Sequence, residues 1–372
     1  MDLGETALSR ATQAGTTASH DVAMEDPAQS RSLPTPARVR VARDALRDAL
    51  IGLRPQVTME RDGLVLIALE AASAALHTAP PYLVFEQAVA DGAVEVHEIG
   101  AGSVPSVAAT TKQHPVVIFA GDTITGGKQN RVINITVWLP AGKVTELPVT
   151  CLEHGRWDPG LAARFGAGRK ADYALRSMLS SQVGERRRRV HEFAAPGAPV
   201  MQSYAADQGA VWAEIGRRET RAALHSPTAA LHEVYEAEAH DARPLAGAFP
   251  RPERATGLAV GVGGRLVALE LFDHAATLTA SWARLVESAV SAHLDHKRAV
   301  AAGVVPATTH RFPDSGALER LVGRAIAALD GAVYGPSVGE GVDLRLAGPK
   351  VAGSALVRDG QVVHAELFRV EA

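Results

Sequence analysis

The chain has 372 residues, 47% hydrophobic and 21% charged, enough apolar side chain for a sizeable core in one large or two intimately packed units. A formal charge of −3 leaves no electrostatic footprint for nucleic acid or an anionic membrane, and a lone cysteine, Cys151, excludes an intrachain disulfide. No basic leader with an apolar follow-on opens the sequence and no apolar run has bilayer-spanning length, so a cytoplasmic protein is expected.

Residues 1–35 are rich in Ala, Thr, Ser, Gln and Pro without an apolar period, which predicts a disordered tail. Residues 37–53 then place Val41, Ala45, Leu46, Ala49 and Leu50 at helical spacing. From residue 63 to about 156, short apolar runs bounded by Gly, Pro and Asp predict strands at 64–69, 94–99, 116–120, 132–139 and 147–152. A short helix near 84–90 interrupts them. Helical spacing returns over 171–239, where Val211, Trp212 and Ile215 form one stripe and Ser226-Pro227 opens a further helix. The run Arg186 to Arg189 in this stretch reads as a solvated helix face or loop.

In the last third, residues 258–262 and 265–272 flank Gly263-Gly264, a pair that permits the positive φ values of a tight hairpin turn. Asp273 is placed to cap the next helix, where Leu278, Trp282, Leu285, Val286 and Ala289 share a face. A second helix follows near 315–329, and a hairpin about Asp359-Gly360 closes the chain. The fold class expected is α+β: a β-rich antiparallel part (36–165), a helical connector (166–243), and hairpins packed on helices (244–372), all within one domain, 36–372. The two last hairpins echo each other, with Gly, Val, Glu, Leu and Phe at matching places in 264–272 and 360–368. They are therefore expected in one sheet, with Glu270 and Glu366 on one outward, solvated face. Their Val/Leu faces should lie against the helices at 273–299 and 315–329. A second polar site of Glu270, His364 and Glu366 is the alternative for that face.

Folding 132–139 onto 147–152 about Pro140-Ala141-Gly142-Lys143 brings Asn130-Arg131 opposite His154-Gly155-Arg156. Val149, Cys151 and Glu153 then share one side of the second strand. Lys128, Gln129, Asn130, Arg131 and Arg156, beside a Gly-Gly loop, suit a phosphorylated or carboxylated ligand, and Trp157 offers a stacking face. The competing reading makes Arg131 and Arg156 structural partners of Glu153, Glu98 or Asp122 at a β corner. A ligand site requires Arg131, Glu153 and Arg156 to line a concavity, whereas a structural cluster closes them on one another. Glu153 is the candidate general base. Cys151 is a candidate nucleophile without an adjacent base, because His154 projects from the opposite face. His293 and His296 share a helix face without a third ligand, so no metal site is predicted. The sequence assigns no cofactor, and neither a dinucleotide fingerprint nor an NTPase phosphate loop is present.

The stretch from Gly121 to Trp157 resembles the signature of the ADP-ribosylglycohydrolase- and rhodanese-phosphatase-associated domain family. The matching positions are Gly126, Gly127, Lys128, Gln129, Asn130 and Arg131, then Pro148, Val149, Cys151, Glu153, Gly155, Arg156 and Trp157. Glu98, Gly102-Ser103-Val104-Pro105, Asp207-Gln208-Gly209 with Trp212, and Leu271-Phe272-Asp273 also look like the family. The resemblance runs roughly from Arg43 to Phe368. It departs at Val107-Ala108-Ala109-Thr110, where the family often carries Val-x-Asn. It implies an association with NAD or ADP-ribose metabolism and no particular reaction. The expectation is a protein that binds, and as a further step processes, an ADP-ribose- or NAD-derived phosphorylated metabolite, without nucleic-acid or membrane partners. The alternative is a non-catalytic regulatory or scaffolding module.

Overall fold

The computed structural model describes residues 34–158, 164–193, 200–307 and 316–371; the tail expected over 1–35 lies, as far as residue 33, outside them. Thr35, in extended conformation, accepts the Arg38 N–H and so caps helix α1 (Pro36–Ile51), with Pro36 at the first turn where its missing N–H is not needed. The hairpin β1 (Leu53–Arg61) and β2 (Leu64–Ala71) follows, turned by Asp62-Gly63 at positive φ. Next come β3 (Leu83–Val84), α2 (Phe85–Ala90), β4 (Val94–His97), β5 (Ser106–Thr111), β6 (Val116–Ile118) and β7 (Asp122–Gly126). They are followed by β8 (Arg131–Ile133), β9 (Val137–Leu139), β10 (Val144–Cys151) and β11 (Phe165–Lys170), then helices α3 (Tyr173–Phe193), α4 (Gln208–Arg221) and α5 (Leu231–Gly247). The chain ends with β12 (Gly257–Val262), β13 (Arg265–Phe272), α6 (Ala275–Ala301), α7 (Ala317–Ala328), β14 (Val333–Pro336), β15 (Val342–Gly348), β16 (Val351–Arg358) and β17 (Gln361–Phe368).

The class is α+β. Eight strands form one antiparallel sheet in the order β1-β2-β12-β13-β17-β16-β15-β14. A six-stranded sheet (β11-β7-β8-β10-β5-β4) and a three-stranded one (β3-β6-β9) are built from the chain between β2 and β12. The first hairpin thus pairs into the C-terminal sheet through β2 and β12, although sequence order groups it with the β-rich part. The run expected as a single strand over 132–139 is broken: β8 pairs with β10, while β9 crosses to β6. Between them, Thr136 turns inward to accept from Ala120 N–H and meets His364 Nδ1 at 2.7 Å. An apolar run shows that a segment is buried, but not that it changes sheets.

The two last hairpins do lie in one sheet, and β13 pairs with β17 so that Glu270 stands directly opposite Glu366. Outward from that pair, β12 matches β16, β2 matches β15 and β1 matches β14, which makes a local two-fold in strand order. The match extends to irregularities. An extra residue bulges β13 at Val267 and β17 at Val363, at equivalent distances from their turns. A Cβ at Gly257 would meet Leu271 Cδ2 at 2.6 Å and Glu270 O at 2.9 Å; at Gly353 it would meet Leu367 Cδ2 at 2.7 Å and Glu366 O at 2.5 Å.

Two expectations about these hairpins are corrected. Leu269, Leu271, Ala365 and Leu367 pack under α1 and α7, with Leu46, Leu50, Leu321 and Ala325, while α6 covers the opposite face with Phe272, Val363 and Phe368. The bulges move Val267 and Val363 to the α6 side, and a sheet buried on both faces gives no alternation to reveal the swap. Glu270 and Glu366, expected solvated, are 0% and 2% exposed because the helices and sheets formed by the intervening chain cover them. Arg176 of α3 donates to both, at 2.9 Å each, and Lys170 of β11 lies 3.4 Å from Asp122 and 3.5 Å from Glu270. His364 Nε2 is 2.9 Å from Glu270 Oε1, and Ser354 donates to Glu366 at 3.1 Å. Burial would raise the Glu270 carboxyl, but Arg176, Lys170 and His364 hold it well below the usual carboxylate range.

Candidate functional site

Strand β7 ends in the Gly126-Gly127 turn, both glycines at positive φ. At Gly127 the Phe165 ring lies where any Cβ would stand, so the turn needs glycine for space as well as conformation. The chain passes through Lys128, Gln129 and Asn130 into β8, whose Arg131 pairs with Cys151 of β10. The two signature segments are therefore brought together, with Arg131 opposite Cys151 rather than the expected His154-Gly155-Arg156. Leu152 N–H donates to Asn130 O at 2.8 Å, and beyond it His154 and Gly155 N–H both donate to Thr228 O.

Side chains then close on one another in pairs. Arg131, fully buried, donates to Glu98 Oε1 at 3.0 Å and Oε2 at 3.1 Å, and also to Ser103 O and Gln129 O. Arg156 grips Glu153 through Nε (2.9 Å) and Nη2 (2.7 Å) and reaches Gly127 O at 2.7 Å. Glu153, 3% exposed, also accepts the Asn130 N–H at 3.2 Å, while Gln129 donates to Glu153 O at 2.9 Å. Asn130 Oδ1 accepts the Gly126 N–H at 2.9 Å, and its amide nitrogen meets His232 Nδ1 at 3.2 Å. Neither Arg131 nor Glu153 faces open space. Asp122, the third acid considered for these arginines, instead joins Lys170 and Arg284 in the buried network.

Three members keep access to solvent. Trp157 is 45% exposed, Lys128 and Arg156 are half-buried, and the Lys128 ammonium stands 5.2 Å from the Trp157 ring centroid. Burial pushes the Glu153 carboxyl up, but Arg156 and the Asn130 N–H outweigh it and leave it below the ordinary value. A carboxylate held in this way is a weak base. Cys151 is fully buried and its thiol is pushed up by burial more than Arg131 lowers it. The sulfur has Val104 O at 3.9 Å, and His154 is exposed and packs at a tilt against Trp212, ring centroids 4.2 Å apart.

Reading the sequence missed what Gln208 and His232 do. Gln208 Oε1 accepts the Cys151 N–H and Nε2 donates to the Cys151 carbonyl, both at 2.8 Å, so one amide stands in for a neighbouring strand. Its signal was Asp207, which caps α4 by accepting the Ala210 N–H and thereby fixes Gln208 against β10. The arginine run is also corrected. Arg187 is buried against Ser203 (2.9 Å) and the Tyr204 ring (4.8 Å), because a helix turns every third or fourth residue inward. Arg188 and Arg189 pair on the surface with Glu192 and Glu185. His293 is buried with Nε2 at 3.6 Å from Asp62, and His296 packs under Gly263. Among the described residues no group of three His, Cys, Asp or Glu side chains is arranged to hold a metal, and no helix is long and apolar enough to cross a membrane.

Searches among curated proteins and among solved structures each returned no match. A family model described as the ARG and Rhodanese-Phosphatase-superfamily-associated Protein domain matches residues 52–368, from the first strand to the last. That span takes in both signature segments, the Gln208 brace and the duplicated hairpins, and the chain belongs to the ARG and Rhodanese-Phosphatase-superfamily-associated Protein domain family.

Proposed function

We propose that the protein is a recognition module for a phosphorylated, ADP-ribose-like ligand, which docks on the rim formed by Lys128, Arg156 and Trp157. The observation that carries this reading is the division within the signature: the Arg131–Glu98 and Arg156–Glu153 pairs form a closed frame, while a half-exposed indole stands beside an ammonium at its edge. An aromatic face next to cations suits a base stacked beside phosphates. The family's association with ADP-ribosylglycohydrolases points to the ADP-ribose class. Binding without chemistry is favoured because Glu153 has both oxygens engaged and Cys151 is a buried thiol with a raised pKa.

Trp157 is the most exposed of the four tryptophans, so its fluorescence reports directly on the rim. Titration with ADP-ribose, NAD and inorganic phosphate should quench it with ADP-ribose or NAD, and Trp157→Ala should weaken binding measured by calorimetry about tenfold or more. Absence of binding by both dinucleotide-derived ligands would sink the proposal. The second reading, a purely architectural corner, is favoured by the bidentate closure of both arginines. Under it, Arg131→Met loses the fold while Trp157→Ala changes neither stability nor any binding.

A further inference from the structure

A cavity of about 310 Å³ opens where α7 crosses the ends of β13 and β17, far along the chain from the signature segments. It is lined by Leu266, Ala317, Arg320, Leu321, Arg324 and Arg369. The four α7 residues are spaced i, i+3, i+4, i+7, so one helical face looks into it. Leu321 is buried in the core and holds that face against the sheet; Arg369 is fixed from the other side by its N–H bond to Val267 O at 2.9 Å. Among the described residues the lining thus contains three guanidinium groups and no carboxylate, Arg320 having a partner of its own.

Arg320 and Arg369 are exposed and Arg324 half-buried, whereas most buried arginines of the fold meet an acid. Arg131 has Glu98, Arg176 has Glu270 and Glu366, Arg218 has Asp172 and Arg345 has Asp343. Among the described residues, the side chains of Arg324 and Arg369 have no hydrogen bond or ion pair. Glu371, two residues on from Arg369, is engaged by Arg265 at 3.1 Å. Like charges four residues apart on a helix repel, and guanidinium geometry matches phosphate oxygens with paired N–H groups. The volume falls at the lower end of the range for small-molecule sites.

We propose that this cavity is an anion site for a small molecule bearing two phosphoryl groups, gripped by Arg324 and Arg369 with Arg320 at its side. It is separate from the Trp157 rim and does not depend on that assignment. The test is calorimetric titration of the full chain with pyrophosphate, and in parallel with ADP and inorganic phosphate, at low and at physiological ionic strength. Pyrophosphate should bind more tightly than inorganic phosphate, and tighter binding of ADP than of pyrophosphate would identify a nucleotide as the source of the pair. Arg324→Gln and Arg369→Gln should each weaken pyrophosphate about tenfold, and the double variant should abolish binding with its circular dichroism and melting temperature retained. No heat from the unaltered chain, or undiminished binding by the double variant, would overturn the proposal.

Discussion

Arg176 is 2% exposed and divides its guanidinium between Glu270 and Glu366, so removing it strands two carboxylates where water does not reach. Breaking a buried ion pair on one side costs more than never having built it. Arg176→Met is expected to lower unfolding free energy by about 3–5 kcal/mol in urea titrations; a loss under about 1 kcal/mol would mean the acids find other partners. At this scale the sequence was legible where neighbours in space are tied by strand pairing. Folding two runs in antiparallel order brings Asn130-Arg131 to the strand end that carries Glu153, although the register found sets Arg131 opposite Cys151 and not the expected His154-Gly155-Arg156. It was not legible where the partner comes from a remote segment. Parity places Glu270 and Glu366 on one face, but says nothing of Arg176 arriving from α3 to cover them.

The glycine-turned hairpins were readable because Gly-Gly and Asp-Gly demand a particular turn, and the turn fixes register. The helices were found by period, but which face of the sheet each would cover was not. Bulges at Val267 and Val363 invert the side-chain order without a trace in the apolar pattern. The duplication itself makes a sharp prediction. Gly257→Ala and Gly353→Ala push a methyl against equivalent leucine and glutamate atoms, so each should cost about 1–3 kcal/mol, and by similar amounts. Thermal or urea denaturation of the two variants measures this; one costly and one silent would separate the hairpins energetically.

For the molecule as a whole, acid stability reports how its charges are buried. Burial raises the carboxyls of Asp122, Asp172 and Glu270, but neighbouring cations outweigh it and leave them depressed in the native state, so their contribution is present above the unfolded value, about 4, and fades as pH falls through the native one. Burial lowers His293, which therefore also favours the folded state above its unfolded value of about 6.5 and opposes it below. Burial raises Glu238 and Asp273, whose contribution has the opposite sign and weakens as pH rises. Because the histidine and the raised acids work against each other, the single-site comparison is decisive. The stability difference between the unaltered chain and His293→Gln, followed by urea midpoints from pH 8 downward, should shrink or reverse as pH drops below about 6.5. A difference that stays constant would remove His293 from the pH response.

The placement of 72–256 between two neighbouring strands sets an order of events during synthesis. Strand β2 leaves the ribosome with β1 on one side and nothing on the other, since its partner β12 is still unmade. At roughly 5–20 residues per second that open edge, Leu-Val-Leu-Ile-Ala-Leu, waits about 10–40 s for its neighbour. In the finished sheet those residues are buried on both faces, so until β12 arrives they are a stretch of the nascent chain open to pairing with the wrong strand.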